Sequence, residues 1–172
     1  TLYSEPGAGS DLAAMQTRAT RDGDDYVING QKIWTSGGHL ADWGWLAART
    51  DPDAPKHKGI SMFMLNMKSP GITVRPLINM GEKHSFNEVF FENVRVPASQ
   101  LVGEENRGWY VGMTLLDFER SNIGGAVAAR RSLTNLMRVV REEIKDVSIV
   151  RNAIVDRYIE SEVMFQFSFR II

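Results

Sequence analysis

Three short stretches of this 172-residue chain combine side chains and spacings that can do chemistry. The first is residues 1–11, Thr-Leu-Tyr-Ser-Glu-Pro-Gly-Ala-Gly-Ser-Asp. Gly7 and Gly9 can take positive φ angles at little steric cost, and Pro6 stiffens the approach to them. Successive backbone N–H groups in such a turn form an anion nest, to which the Ser4 and Ser10 hydroxyls add donors. The same residue types also make ordinary turns. The second stretch is Trp-Thr-Ser-Gly-Gly at residues 34–38. An indole at a strand end can wall a planar cofactor while adjacent hydroxyl or N–H groups bond its edge; the alternative is a core tryptophan followed by a turn. The third is Leu-Asp-Phe-Glu-Arg at residues 116–120. On a helix, Leu116, Glu119 and Arg120 share one face. A carboxylate beside an aliphatic chain in a dry pocket has its pKa raised toward that of a general base. The competing reading is a solvated surface in which Asp117 pairs with Arg120.

Other chemistries are poorly supplied. His39, His57 and His84 lack metal-ligand spacing, and no nucleophile–base pair or Walker-type phosphate loop is present. The chain has no cysteine, hence no disulfide or thiolate chemistry, and a cytoplasmic setting is expected. A net charge of −1 provides no long-range attraction to nucleic acid or anionic lipid. No apolar run is long enough to span a membrane, and no signal peptide is apparent.

The elements that must position these stretches change character along the chain. Short β-prone runs are predicted at residues 17–20, 26–34, 43–50, 60–67, 72–75 and 86–94, the second folded on itself as a hairpin about Asn29-Gly30. In the third, Trp43, Trp45 and Ala47 fall on one face and Gly44, Leu46 and Ala48 on the other. From about Glu105 the period becomes helical, with Leu133, Leu136, Met137, Val140 and Ile144 on one stripe. A second helix is expected to start near Asp146 or Ser148, with Val150, Ile154 and Tyr158 on one stripe and Val155, Ile159 and Val163 on the next. The expected fold class is α+β: an antiparallel β-barrel or sandwich over residues 1–102, then two long helices of an incomplete bundle over 103–172. The opening inside a glycine-rich motif and the apolar close at residues 165–172 read as a piece of a longer protein.

The order of these motifs resembles the acyl-CoA dehydrogenase family. Ser-Glu-Pro-Gly-Ala-Gly-Ser-Asp (residues 4–11), Asn-Gly-Gln-Lys-Ile-Trp-Thr-Ser-Gly-Gly (29–38), Val-Arg-Val-Pro (94–97) and Glu-Arg (119–120) follow that family's sequence at its spacing. The resemblance covers nearly the whole chain and corresponds to the family's middle β-domain plus the first helices of its C-terminal domain. It implies FAD as cofactor and α,β-desaturation of an acyl-CoA thioester. By position it also implies flavin contacts from Leu2, Ser4, Gly9 and Ser10 in the first segment and from Trp34, Thr35 and Ser36 in the second. Ser4 would stand near the pyrimidine edge, Ser10 near the pyrophosphate, Trp34 on the isoalloxazine and Ser36 near N5. Ser10, Leu116, Asp117 and Arg120 would contact the acyl-CoA. Glu119 stands where the isovaleryl-type and long-chain-type enzymes carry their catalytic base; most of the family takes the base from a later loop.

The resemblance further implies an external electron acceptor such as an electron-transfer flavoprotein, and a homo-oligomer, usually a tetramer. One family feature is missing: residues 140–148 lack the arginine-lysine-threonine-phenylalanine-glycine-like stretch that reaches a neighbouring subunit's flavin. Two other readings stand beside a dehydrogenase. One is a same-fold flavin monooxygenase or nitroalkane-oxidase-like enzyme; the other is a non-catalytic β-domain.

Overall fold

The computed structural model describes residues 1–120 and 123–170, with the side chains of Glu119 and Arg120 outside that description. The chain forms two compact units, residues 1–113 and 114–172. The first is built on a seven-stranded sheet: β1 (Arg18–Asp22), β2 (Asp25–Lys32), β3 (Trp43–Arg49), β4 (Ile60–Asn66), β5 (Ile72–Ile78), β6 (His84–Pro97) and β7 (Leu101–Val102). Their order across the sheet is β5-β6-β2-β1-β3-β4-β7. All pairings are antiparallel except β1 with β3.

The sheet curls without closing. β4 and β6 stand four places apart in the order, yet Met64 and Asn66 of β4 line one cleft with Arg95 and Pro97 of β6. Inside the curl lies the main core, where Tyr26 meets Phe63 edge-on at 4.9 Å between ring centroids and Leu46, Val89, Val94 and Val96 pack around them. A second cluster of Ala8, Met15, Ala47, Ile60 and Met62 covers the other face. The strict alternation of β3 explains the division. Leu46 and Ala48 serve the main core, while Ala47 serves the second cluster and Trp45 packs against it.

The structure corrects the expected hairpin. The turn between β1 and β2 is Gly23-Asp24, with Gly23 at φ +63° and Asp22 paired with Asp25. Asn29-Gly30 instead lies within β2 at a register shift against β6. Gly30 has φ +148°, and a Cβ there would come within 2.6 Å of Thr17 Oγ1 and 2.7 Å of its Cα. The extra residue of this β-bulge lies on β6, where Val94 to Phe91 spans three steps against two from Ile28 to Gly30 and Asn93 takes φ +50°. The Asn29 side chain stitches it, donating to Asn93 Oδ1 at 3.1 Å and accepting from the Asn93 N–H at 2.9 Å. Asn-Gly suits a tight turn, but the close approach of Thr17 to Gly30 keeps the pair within the strand, opposite the bulge.

Helix α1 (Gly108–Arg120) begins against β4, where a Cβ on Gly108 would stand 2.5 Å from the Ser61 backbone. Trp109 and Val111 pack on the second cluster. In the second unit, α2 (Ile123–Glu143) and α3 (Ser148–Ser168) pack together, and Arg130 pairs with Glu162 at 2.8 Å. Ser148 donates from its N–H and hydroxyl to Asp146 Oδ1. The expected apolar stripe of α2 is only partly buried. Ala126, Leu133 and Val140, seven residues apart, are covered, whereas Leu136 and Ile144 are exposed. One packed partner buries the narrow seam of a helix and leaves its flanks in solvent. Tyr158, Val155, Ile159 and Val163 of α3 are likewise exposed. No described helix is long and apolar enough to cross a membrane.

Candidate functional site

The first motif is an extended segment that doubles back on itself. Leu2 runs beside β3, donating to the Trp45 carbonyl at 2.8 Å and accepting from Ala47 N–H at 3.3 Å. Its side chain is in the main core, in the space Gly44 leaves by having no Cβ. Glu5 and Ala8 exchange backbone hydrogen bonds at 2.9 and 3.0 Å, which throws Pro6 and Gly7 out as an exposed tip, followed by exposed Gly9 and Ser10. Neither Gly7 nor Gly9 uses a positive φ, contrary to expectation. Among the described residues, a Cβ at either would meet nothing within 4 Å, so these glycines leave open backbone surface rather than a forced turn.

The second motif leaves the end of β2 and is tied directly to the first. Ile33 N–H donates to the Ser4 carbonyl at 2.9 Å. Trp34 then takes φ +61°, a left-handed backbone that is an outlier for so bulky a residue. Its indole is 59% exposed and touches Phe86 only edge-on, with 6.0 Å between centroids. Trp34 is not part of either buried cluster among the described residues. Thr35 is buried, its N–H donating to the Asn87 carbonyl at 3.0 Å and its carbonyl accepting from Asn87 Nδ2 at 2.9 Å. Its Oγ1 is buried with no hydrogen-bond partner among the described residues. Ser36 is exposed, and Gly37 turns the chain at φ +63°.

Beneath these segments lies an arrangement that motif reading missed. Lys32 is fully buried, and its ammonium donates to Glu5 Oε1 at 2.8 Å and to the Tyr3 carbonyl at 2.9 Å. The Glu5 carboxylate also accepts from Gln16 N–H at 2.6 Å and Thr17 N–H at 2.9 Å. Burial pushes the Lys32 ammonium down to about 8, against the raising effect of Glu5. Burial works to raise Glu5, but the Lys32 charge and the Gln16 and Thr17 N–H groups outweigh it and hold the carboxyl below its ordinary range. The available signal was alternation, because Lys32 falls on the inward parity of Tyr26 and Ile28. Asn87 is a second hub, with Oδ1 2.7 Å from His84 Nε2 and Nδ2 3.2 Å from His39 Nδ1; the two imidazoles stack at 3.8 Å. Arg49 closes the turn after the first motif, donating to the carbonyls of Ala13 at 2.6 Å and Met15 at 3.1 Å.

In the second unit Leu116 is half-buried and Asp117 exposed on α1, while the side chains of Glu119 and Arg120 lie outside the described residues. Among the described residues no cluster of His, Asp and Glu is arranged to hold a metal ion.

The sequence pattern of the "Acyl-CoA dehydrogenase, middle domain" family matches residues 1–94. The chain belongs to the acyl-CoA dehydrogenase family. It is 46% identical over 147 residues to acyl-CoA dehydrogenase FadE34 of Mycobacterium tuberculosis, covering 86% of this chain and 21% of that protein. It is 50% identical over 124 residues to FadE29 of the same organism, covering 72% of this chain and 32% of FadE29. Among solved structures, the Tcur3481-Tcur3483 steroid ACAD superposes with a TM-score of 0.86 at 38% identity, covering 98% of this chain and 44% of that one. The chain thus spans less than half the length of each of these proteins.

The residues present fit the flavin that acyl-CoA dehydrogenases use. The exposed indole of Trp34 offers a stacking face, and the unpartnered Thr35 Oγ1 lies in the same segment. The backbone around Gly7 and Gly9 is open to close approach.

Proposed function

We propose that this chain is the flavin- and thioester-contacting part of an FAD-dependent acyl-CoA dehydrogenase. In this reading residues 1–102 form the middle β-domain and 103–172 the start of the helical domain. One observation carries it. The Ile33–Ser4 hydrogen bond joins two motifs remote in sequence into a single surface, with Trp34 exposed upon it in a strained backbone.

Ser4, Gly9 and Ser10 would hold one side of the cofactor, with Leu2 anchoring their segment to β3 and the core, and Trp34, Thr35 and Ser36 would hold the other. When bound, the flavin supplies the acceptor for the hydride that leaves the substrate's β-carbon. Ser10, Leu116, Asp117 and Arg120 orient the acyl-CoA. Glu119 takes the α-proton, so that the Cα–H electron pair forms the new double bond as the β-hydride departs. The partners in this reading are an external electron acceptor, such as an electron-transfer flavoprotein, and further copies of the same protein, in the cytoplasm.

The test is a titration of the chain with FAD, following flavin absorbance and tryptophan fluorescence. Saturable quenching that Trp34→Ala removes, with circular dichroism unchanged, supports the reading. A folded chain that binds no FAD at high micromolar concentration overturns it for this chain and leaves a non-catalytic β-domain.

A further inference from the structure

The buried pair beneath the two motifs extends this reading. Ion pairs are rarely retained in a core for stability alone, because desolvation offsets most of their attraction. Here the pair is placed where the two segments meet. Lys32 is two residues before Trp34, and Glu5 directly follows Ser4. Lys32 Nζ holds the first motif twice, through Glu5 Oε1 and the Tyr3 carbonyl, and lies 3.9 Å from Met15 Sδ. Glu5 passes the restraint on to Gln16 and Thr17. Thr17 also packs against Gly30 of β2 and donates its hydroxyl to the Gln31 carbonyl at 3.3 Å. The loop is therefore anchored at both ends to the strand that delivers Trp34. Of the bonds that tie the loop to β2, Ile33–Ser4 and the Thr17 hydroxyl to the Gln31 carbonyl stand apart from the Glu5 and Lys32 side chains, and Lys32 supplies the others.

We infer that Lys32 and Glu5 are positioning residues that lock residues 3–10 and 34–36 into one preorganised flavin platform. This rests on the proposed flavin reading. Neither side chain touches the cofactor; both act through the backbone they hold. The charged groups facing the Lys32 ammonium are Glu5 from the loop and Arg49 from β3, with the Tyr3 carbonyl and Met15 sulfur completing the shell. Losing the proton removes the ionic restraint without removing a side chain, so cofactor affinity follows the charge on Lys32.

The experiment compares the wild-type chain with Lys32→Met and the charge-neutral double variant Glu5→Gln/Lys32→Met. The double variant avoids leaving one buried charge unpaired and serves if the single variant does not fold. The expected result is an FAD dissociation constant raised by at least about tenfold in the folded double variant. Wild-type affinity should fall as pH rises through about 8, the value to which burial moves Lys32, while the double variant stays flat. Because the chain contains no cysteine, Lys32→Cys offers rescue. Alkylation with bromoethylamine in denaturant, followed by refolding, restores an ammonium and should restore binding; alkylation with iodoacetamide should not. Amide exchange gives a readout independent of flavin. Gln16, Thr17 and Ile33 should lose protection in the double variant while Leu46 and Phe63 keep theirs. If the wild-type chain binds no FAD, the flavin reading fails, and exchange alone decides whether the pair locks the two segments. A folded double variant with affinity within about twofold of wild type, or with unchanged protection at these amides, overturns the inference.

Discussion

Trp34 permits a test of the backbone itself. Its indole is 59% exposed, so about two fifths of a tryptophan's roughly 250 Å² is covered, worth about 2.5 kcal/mol at ~25 cal/mol per Å². Its φ of +61° opposes that gain, since the left-handed conformation costs an L-residue about 1–2 kcal/mol. Trp34→Ala forfeits the contact and keeps the backbone cost. Trp34→Gly forfeits the same contact and sheds the backbone cost, but loses about 0.5–1 kcal/mol to the extra freedom of its unfolded chain. Glycine should therefore be the more stable of the two by about 0.5–1 kcal/mol, the reverse of their order at an ordinary extended position. Urea unfolding followed by tryptophan fluorescence measures the gap. The remaining tryptophans Trp43, Trp45 and Trp109 all lie in the first unit, so the signal reports that unit. An alanine variant as stable as the glycine variant, at equal m-value, refutes the strained backbone. Both variants should lose FAD binding equally, because both lack the indole.

Other consequences are more direct. Gly30→Ala drives a Cβ into the Thr17 backbone and side chain and should cost about 3 kcal/mol; a cost below about 1 kcal/mol by urea titration argues against that close approach. Asn87→Ala leaves the buried Thr35 carbonyl with only the long 3.4 Å bond from Gly38 N–H, and should cost about 2 kcal/mol and shift the Trp34 indole resonance in NMR spectra. Stability against pH should carry two signatures of the buried pair. Lys32 sits at about 8 in the folded chain against an ordinary 10.5, so between those values the unfolded chain binds more protons and wild-type stability rises with pH relative to Glu5→Gln/Lys32→Met. Glu5 sits below its ordinary 4.5, so its contribution is present above that value and lost as pH falls through the lower folded one. In the intact protein, Glu119→Gln should slow reduction of the bound flavin by acyl-CoA by about 100- to 10,000-fold while FAD affinity holds; an unchanged rate in stopped-flow absorbance assigns the base elsewhere.

Much of the first unit was legible because local physics decided it. Period-two alternation divided β3 between the two cores, and the β-prone runs at residues 60–67 and 86–94 reappear within β4 and β6. Residue types alone offered two readings of Trp34 to Ser36 and of the loop around Ser10, and the structure leaves Trp34, Ser36 and Ser10 exposed. What stayed hidden depends on partners distant in sequence. Asn-Gly suits a tight turn as well as a strand position opposite a bulge, and only the approach of Thr17 to Gly30 chooses. Lys32 and Glu5 are 27 positions apart, and the strand pairing that buries one against the other exists only in the folded sheet. The stripe on α2 predicted five covered residues, but burial of Leu133 and exposure of Leu136 follow from which helix lies alongside. Sequence by itself determined the family, through the order of its motifs, and the strands, through short-range sterics and hydrophobic period. Tertiary structure decided which backbone is strained, which charges are buried and how two remote motifs become one surface, because each rests on contacts that chain spacing does not encode.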